Sequence, residues 1–479
     1  MDKLWLLWSL MEEMLISQNL FRIDSLSLVM SSLVIIVGLV VTVYSVRYMS
    51  GDTEYKGFFI RLFILVASLI CMFNVDNLLL FAALWAFSNL ILVMMIVHKA
   101  FWKQALESGI VAARNFSIGI ISLLLFIGLS FSLTKTFSIS ETLVSFTNID
   151  PVFQSVLLAL LIITAMTQSA QLPFHGWLMS SINTPTPVSA LMHAGLVNGG
   201  GYLLVKFAMA LGTQSASLPL IFIIGSVSAF TAMLWLFVKS SVKGVLVSST
   251  ISQMGFMFMQ IGLGLYPAAI SHLCMHGFFK AFHFLSAGSA FSELKILKLA
   301  LNKSMKQVSV KVNFSMSLIL GIISLLVFSQ ASHISINFED SSFILMIFIT
   351  MALVELSFNI IKEAQKTINL YLTSFLALLS SSIVAIIYGS FLYFFEQLLA
   401  SSLVSATYKL TALHYLVSSV FIMLWALMHF KKDLLALLPM NLRLPLYAFL
   451  MNSSRAKAST YTSVRGDYAY LKETNHLYH

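Results

Sequence analysis

With 479 residues, 59% of them hydrophobic and only 10% charged, at a mean hydropathy of +0.91, the chain is too poor in polar surface for a soluble domain and reads as a multispanning membrane protein. Its net charge of +9 does not call for nucleic acid, because basic residues held back on the inner side of a membrane, against anionic lipid, account for it. Cys71 and Cys274 lie in separate apolar segments, which argues against a disulfide framework and against a cysteine-based metal site.

Apolar runs of membrane-spanning length recur about fourteen times, within a range of 12–14, so an all-α polytopic fold is expected. They fall near 4–18, 25–46, 58–74, 77–97, 117–134, 152–173, 189–212, 217–238, 243–262, 266–290, 314–330, 343–363, 369–396 and 411–430. The first is the weakest, since Glu12 and Glu13 interrupt it, and the same interruption argues against a cleavable signal. Residues 1–430 thus form a transmembrane domain and 431–479 a basic segment beyond it.

With the N-terminus placed inside, this list puts 23 Lys and Arg residues in inside segments and three, Arg22, Lys135 and Lys409, in outside loops. One missed span would invert every later loop, so the split supports the helix count and predicts that both termini are cytoplasmic. It leaves Lys206 and Lys280 within helices.

Along the chain, His98 closes its span beside Lys99, where an interfacial role is the simplest reading. Pro173 follows an apolar run and Pro185 and Pro187 precede the next, so a broken helix is expected near 168–188; such breaks are tolerated where protein or water receives the freed backbone groups, and they mark ion pathways. His175, beside Pro173, has two readings, a link in a pathway or a cap on backbone groups. Gly199, Gly200 and Gly201 permit close helix packing. His193 opens the following helix, with Asn198 and Lys206 on a different face. Lys206 either snorkels from a helix end or serves a pathway.

The densest signal is at 272–283. His272, His276, Lys280 and His283 lie within about 80° of one another at 100° per residue, so they share one face of one helix. Ionisable groups are expensive in hydrocarbon and usually carry ions or protons there. His272 and His276 have the spacing of a helical metal pair, but no glutamate follows His272 and no third ligand is near, so a proton relay with Lys280 as its switchable charge explains more. Glu355 is the only carboxylate well inside a late span, although a small boundary shift would bring it to the interface. After residue 430, Tyr447, Tyr461, Tyr468 and Tyr470 alternate with Arg and Lys, as on a cytoplasmic docking surface or a basic tail on lipid.

The runs SAQLPFHGWL (169–178), TPTPVSALMHAG (184–195), SSTISQMGFM (248–257) and HGFFKAFHFLSAGS (276–289) resemble the proton-conducting antiporter-like family of complex I membrane-arm subunits, membrane hydrogenases and Mrp-type antiporters. The resemblance implies an antiporter-like fold and proton movement in an inner membrane, with no cofactor in this chain. The glycine-rich HAGLVNGGGYLL run and His283 resemble the branch that forms membrane subunits of inorganic-carbon (Dab-type) accumulation complexes. That branch implies a DabA-like cytoplasmic partner, similar to a zinc-dependent carbonic anhydrase, which holds the zinc and does the catalysis while this chain supplies proton-motive force. The family pattern places a glutamate after the tryptophan of the fourth span and a lysine before SAQLPF; here Ala86 and Gln168 stand in those places, so the family's ion pair is lost as a pair. What remains is a pathway through His193 and the face from His272 to His283. A cation/proton antiporter subunit of the Mrp or membrane-hydrogenase type and a non-conducting membrane anchor are the alternatives.

Overall fold

The fold follows from what hydrocarbon permits: in a long apolar sequence every backbone donor and acceptor must be satisfied within its own helix, so the polar residues are left to mark helix ends. A computed structural model describes residues 20–214, 216–239, 241–287, 309–335, 337–364, 369–400, 410–430 and 439–455. The expected span at 4–18 and the tail beyond 455, with Tyr461, Tyr468 and Tyr470, lie outside the described residues.

Among the described residues eleven helices are long and apolar enough to cross a membrane. The chain opens with α1 (Ser25–Tyr48), α2 (Tyr55–Asn74), α3 (Leu78–Ile96), α4 (Lys103–Thr134), the short α5 (Ile139–Ser145) and α6 (Pro151–Gln168). A connection carrying α7 (Gly176–Ser180) leads to α8 (Thr186–Ala194), α9 (Gly199–Lys206) and the single turn α10 (Ala208–Leu211). Then follow α11 (Ser217–Trp235), α12 (Val242–Gly262), α13 (Tyr266–Ser286), α14 (Val310–Ser332), α15 (Ser341–Ala364), α16 (Leu370–Leu399), α17 (Ala412–Phe430) and α18 (Met440–Ser453). Helix α13 has spanning length but is not among the eleven, and it is the helix that carries the histidines and Lys280.

Local chemistry sets the boundaries. Asp24 caps α1 by accepting from the Ser27 backbone N–H at 2.7 Å, and Asn77, Asp150 and Asn369 do the same for α3, α6 and α16. Two helix ends turn on left-handed residues, Lys135 after α4 and His333 after α14. The expected span at 117–134 is the second part of the 32-residue α4, which begins at Lys103. The connection after α6 breaks where the prolines indicate, and a second interruption, at Gly195–Asn198, falls inside the span between α8 and α9.

The packing reverses the soluble pattern. Outward faces are apolar, as at Ile35, Leu39 and Val43 of α1 or Ile383, Ile386 and Ile387 of α16, whereas serines and amides turn inward. Many inward hydroxyls bond to their own helix's carbonyls, as Ser45 does to Val41 at 2.6 Å, so they cost little there. One large core joins α1 to α13, and α14, α15 and α16 pack on one another beside it. Helix α13 lies between the two groups, against α1, α8, α12 and α16.

Helix ends meet in two polar layers. One holds the turn after α1, the turn after α3, the connection before α8 and the start of α12, with Arg47, Lys56, Lys99, Lys239 and Lys243; it is called the basic end below. The other holds Arg22, Lys135 and Lys206 and the turns before α1, α3 and α5.

Candidate functional site

Lys280 is fully buried in α13 and donates to the Leu246 carbonyl of α12 at 3.1 Å. One turn earlier on the same helix is His276, 5% exposed, whose Nε2 has no partner among the described residues. From α8, the fully buried His193 stacks on Phe284 of α13, with ring centroids 4.3 Å apart and planes inclined by 15°, and neither of its ring nitrogens has a partner among the described residues. Lys280, His276 and His193 lie within electrostatic reach of one another. Among the described residues no carboxylate bonds to any of the three.

Gly277 makes the juxtaposition possible. A Cβ there would stand 2.8 Å from the Ala194 carbonyl oxygen, at the end of α8, so any larger residue would lever α13 away from the broken span. Glycines 199–201 serve the same close packing, Gly199 against Gln168 and Gly201 against Met257, which agrees with their plain structural reading.

His272 is held by α12. Its Nδ1 lies 2.9 Å from Gln260 Oε1 and its Nε2 2.9 Å from Gln253 Oε1, two glutamines seven residues apart that grip the ring from both sides. A neutral imidazole donates from one nitrogen and accepts at the other, so one amide must present its NH2 group unless the ring is protonated. The His272 and His276 rings meet edge to face at 6.0 Å. His272, His276, Lys280 and His193 therefore form one continuous group, as the sequence indicates.

His283 does not join it. It is half-buried toward the basic end of α13, between Phe279 and Phe282. Glu355 lies on α15, where Asn359 donates to it at 3.0 Å and the Trp425 indole at 3.2 Å. His175 bonds to the Ser453 carbonyl at 3.0 Å, and Lys239, whose burial lowers its pKa from the ordinary lysine value, donates to the Ser454 carbonyl. The bond from His175 ties the Gly176–Ser180 connection to the end of α18. Lys206 is paired with Asp24 at 3.5 Å at the opposite end.

At the positions where the resemblance implies an ion pair, Ala86 is half-buried and Gln168 is buried. Gln168 exchanges two hydrogen bonds with Asn89, both 3.1 Å, and donates a further one to the Leu196 carbonyl at 3.2 Å. A neutral amide pair, Asn89 and Gln168, thus stands where the resemblance implies a lysine with its carboxylate partner.

The basic end has an approach to this group. A cavity of about 500 Å³ is bounded by Tyr48, Asp52, Lys99, Thr184 and Lys243. The Glu54 backbone N–H, followed by His98 and Lys99, holds the Asp52 carboxyl below the usual carboxylate range. Lys243 donates to the Thr184 carbonyl at 2.9 Å, Thr184 Oγ1 lies 2.8 Å from Ser189 Oγ, and Ser189 is one helical turn from His193. Lys243 pins this connection, donating also to the Ile182 carbonyl at 3.3 Å. Asn89, Gln253 and Gln260 carry no ionisable signal in the sequence, although Gln253 stands within the motif at 248–257. Among the described residues no three His, Cys, Asp or Glu side chains gather as a metal site.

Residues 75–353 match the family model for the transmembrane region of NADH:quinone oxidoreductase and Mrp antiporters, and residues 15–59 that for the N-terminus of complex I chain 5. A probable inorganic carbon transporter subunit, DabB, of Bacillus anthracis is 34% identical over 290 residues, 60% of this chain and 56% of the relative. DabB1 of Halothiobacillus neapolitanus, named in the same way, is 32% identical over 282 residues, 57% and 50% of the two chains. NADH-quinone oxidoreductase subunit L of Buchnera aphidicola is 33% identical over 274 residues, 56% and 44%. The matches thus span about half the length of these relatives. Among solved structures, a chain of the Mrp complex from Dietzia sp. superposes with a TM-score of 0.58 at 22% identity, covering 94% of this chain and 52% of that one, a likeness of fold.

Proposed function

We propose, since the chain belongs to the NADH:quinone oxidoreductase and Mrp antiporter transmembrane family, that it carries protons through a membrane as one subunit of an inorganic-carbon accumulation complex. The observation that carries the reading is the group of Lys280, His276 and His193, buried, in mutual electrostatic reach and, among the described residues, without a bonded carboxylate. Imidazoles accept and donate on opposite nitrogens, and a lysine among them changes the local charge by one each time a proton arrives or leaves. The hydroxyls of Thr184 and Ser189 lead protons from the cavity at the basic end to His193. That end faces the cytoplasm, in keeping with its Lys and Arg.

The carbon role rests on the relatives named as probable inorganic carbon transporter subunits. It brings a cytoplasmic, zinc-bearing partner similar to a carbonic anhydrase, in which the catalysis takes place. The test is direct. In reconstituted vesicles Lys280→Ala and His276→Ala should each lower proton flux at least tenfold, and in cells both should abolish bicarbonate-dependent growth while membrane expression persists. Normal flux and growth in both variants would sink the reading. Purification of the tagged chain should bring down a zinc-containing soluble subunit; a set of small membrane subunits in its place would favour an antiporter.

A further inference from the structure

The end opposite the basic one carries a second polar cavity, of about 290 Å³, bounded by Arg22, Asp24, Asp76, Ser140 and Lys206. Its four charges are not equally held. Asp76 accepts from the Ser138 and Ser140 hydroxyls at 2.7 Å each and from the Ser140 backbone N–H at 3.2 Å, and Arg22 donates to Ser140 at 2.6 Å, so these groups serve to fix the turn before α5. Asp24 spends Oδ1 on the cap of α1 and turns Oδ2 toward Lys206 at 3.5 Å, a long and loose contact. Lys206 is nearly buried and has room for water beside it.

Inward from Lys206, the residues at four-residue steps are Tyr202 and Asn198, a stripe within about 80° of arc reaching about 12 Å deeper. Tyr202 is buried, donates to the Phe73 carbonyl at 2.9 Å and lies within electrostatic reach of Asp24 and Asp76. Asn198 is fully buried. Its Nδ2 caps the Ala194 carbonyl at 2.7 Å, while its Oδ1 has no partner among the described residues. Ala194 is the residue after His193. An unpaired buried amide oxygen is costly in a dry interior, and here it lies on the broken span between Lys206, which lines the cavity, and His193.

We propose that this cavity is the far-side proton mouth, where the Asp24–Lys206 pair exchanges protons with water and a file of water along Tyr202 and Asn198 joins it to His193. The inference rests on the proton-carrying reading above, and it places both mouths on the first half of the fold, one at each end of the broken span. The transfer is a proton relay only: a hydronium ion gives its proton to Asp24 or to a Lys206 amine, and the next water inward accepts it.

Two measurements test it. In a Cys71→Ser background, Asn198→Cys and Tyr202→Cys should react with a small membrane-impermeant thiosulfonate added on the side of Arg22 and resist the same reagent added at the basic end. This readout is independent of transport. In vesicles, Asp24→Asn with Lys206→Met, which removes both charges together, should lower proton flux at least tenfold, and Lys206→Arg with Asp24 intact should retain most of it. Two folded but unlabelled cysteine variants, or full flux in the neutral double variant, would overturn the mouth. Absent flux in the unaltered protein would instead overturn the proton-carrying reading, and the labelling would still decide whether water reaches Asn198.

Discussion

At the scale of single residues, the interior is governed by which charges are absent. A lysine placed at Gln168 would face Asn89 and the Leu196 carbonyl with no carboxylate bonded there, and a buried charge stranded in this way costs about 3–5 kcal/mol. Gln168→Lys is therefore expected to lower the thermal midpoint of the purified protein sharply, and Gln168→Lys with Ala86→Glu to recover most of the loss. Equal losses in the single and double variants, read by thermal unfolding in one detergent, would show that the two positions do not face each other. The histidines and Lys280 were legible in the sequence because an ionisable side chain cannot pass unnoticed in an apolar run. Asn89 was not, because a neutral amide in a helix has no such cost and its partner lies 79 residues away. Gln253 and Gln260 were missed for the same reason: only the fold shows that His272 stands between them.

At the scale of elements, the prolines located the connection before α8, whereas the interruption at Gly195–Asn198 carries no proline and became visible only in the backbone. Boundaries elsewhere were legible where polar caps stand against apolar runs, as at Asp24 and Asn77. Which face of each helix turns inward was not, since both faces are apolar when one meets lipid. The close approach of α13 to the end of α8 depends on Gly277, and Gly277→Ala is expected to cost about 1–3 kcal/mol through overpacking against backbone that cannot rotate away. Because the displaced element carries His276 and Lys280, proton flux should fall in the variant even at temperatures where it remains folded. A Gly277→Ala protein with unchanged midpoint and unchanged flux would mean that α8 and α13 have room to spare.

For the whole molecule, the proposal of a proton over a sodium ion rests on what the broken span does with its freed carbonyls. A sodium ion crossing such a break needs oxygen ligands, and unwound backbone carbonyls commonly supply them. Here three are already taken by side-chain donors: Ala194 by Asn198 at 2.7 Å, Leu196 by Gln168 at 3.2 Å and Val197 by Ser169 at 2.7 Å. The groups beyond them, His193, His276 and Lys280, present nitrogen, and Lys280 when protonated repels a second cation. A proton needs no cage and can use each of these groups in turn. Proton flux driven by an imposed pH gradient in vesicles should therefore be unchanged, within twofold, when sodium is replaced by choline on both sides. A loss of flux on sodium removal, restored by sodium in a saturable manner, would mean that these carbonyls release their donors during transport, and the chain would then be a sodium/proton antiporter subunit.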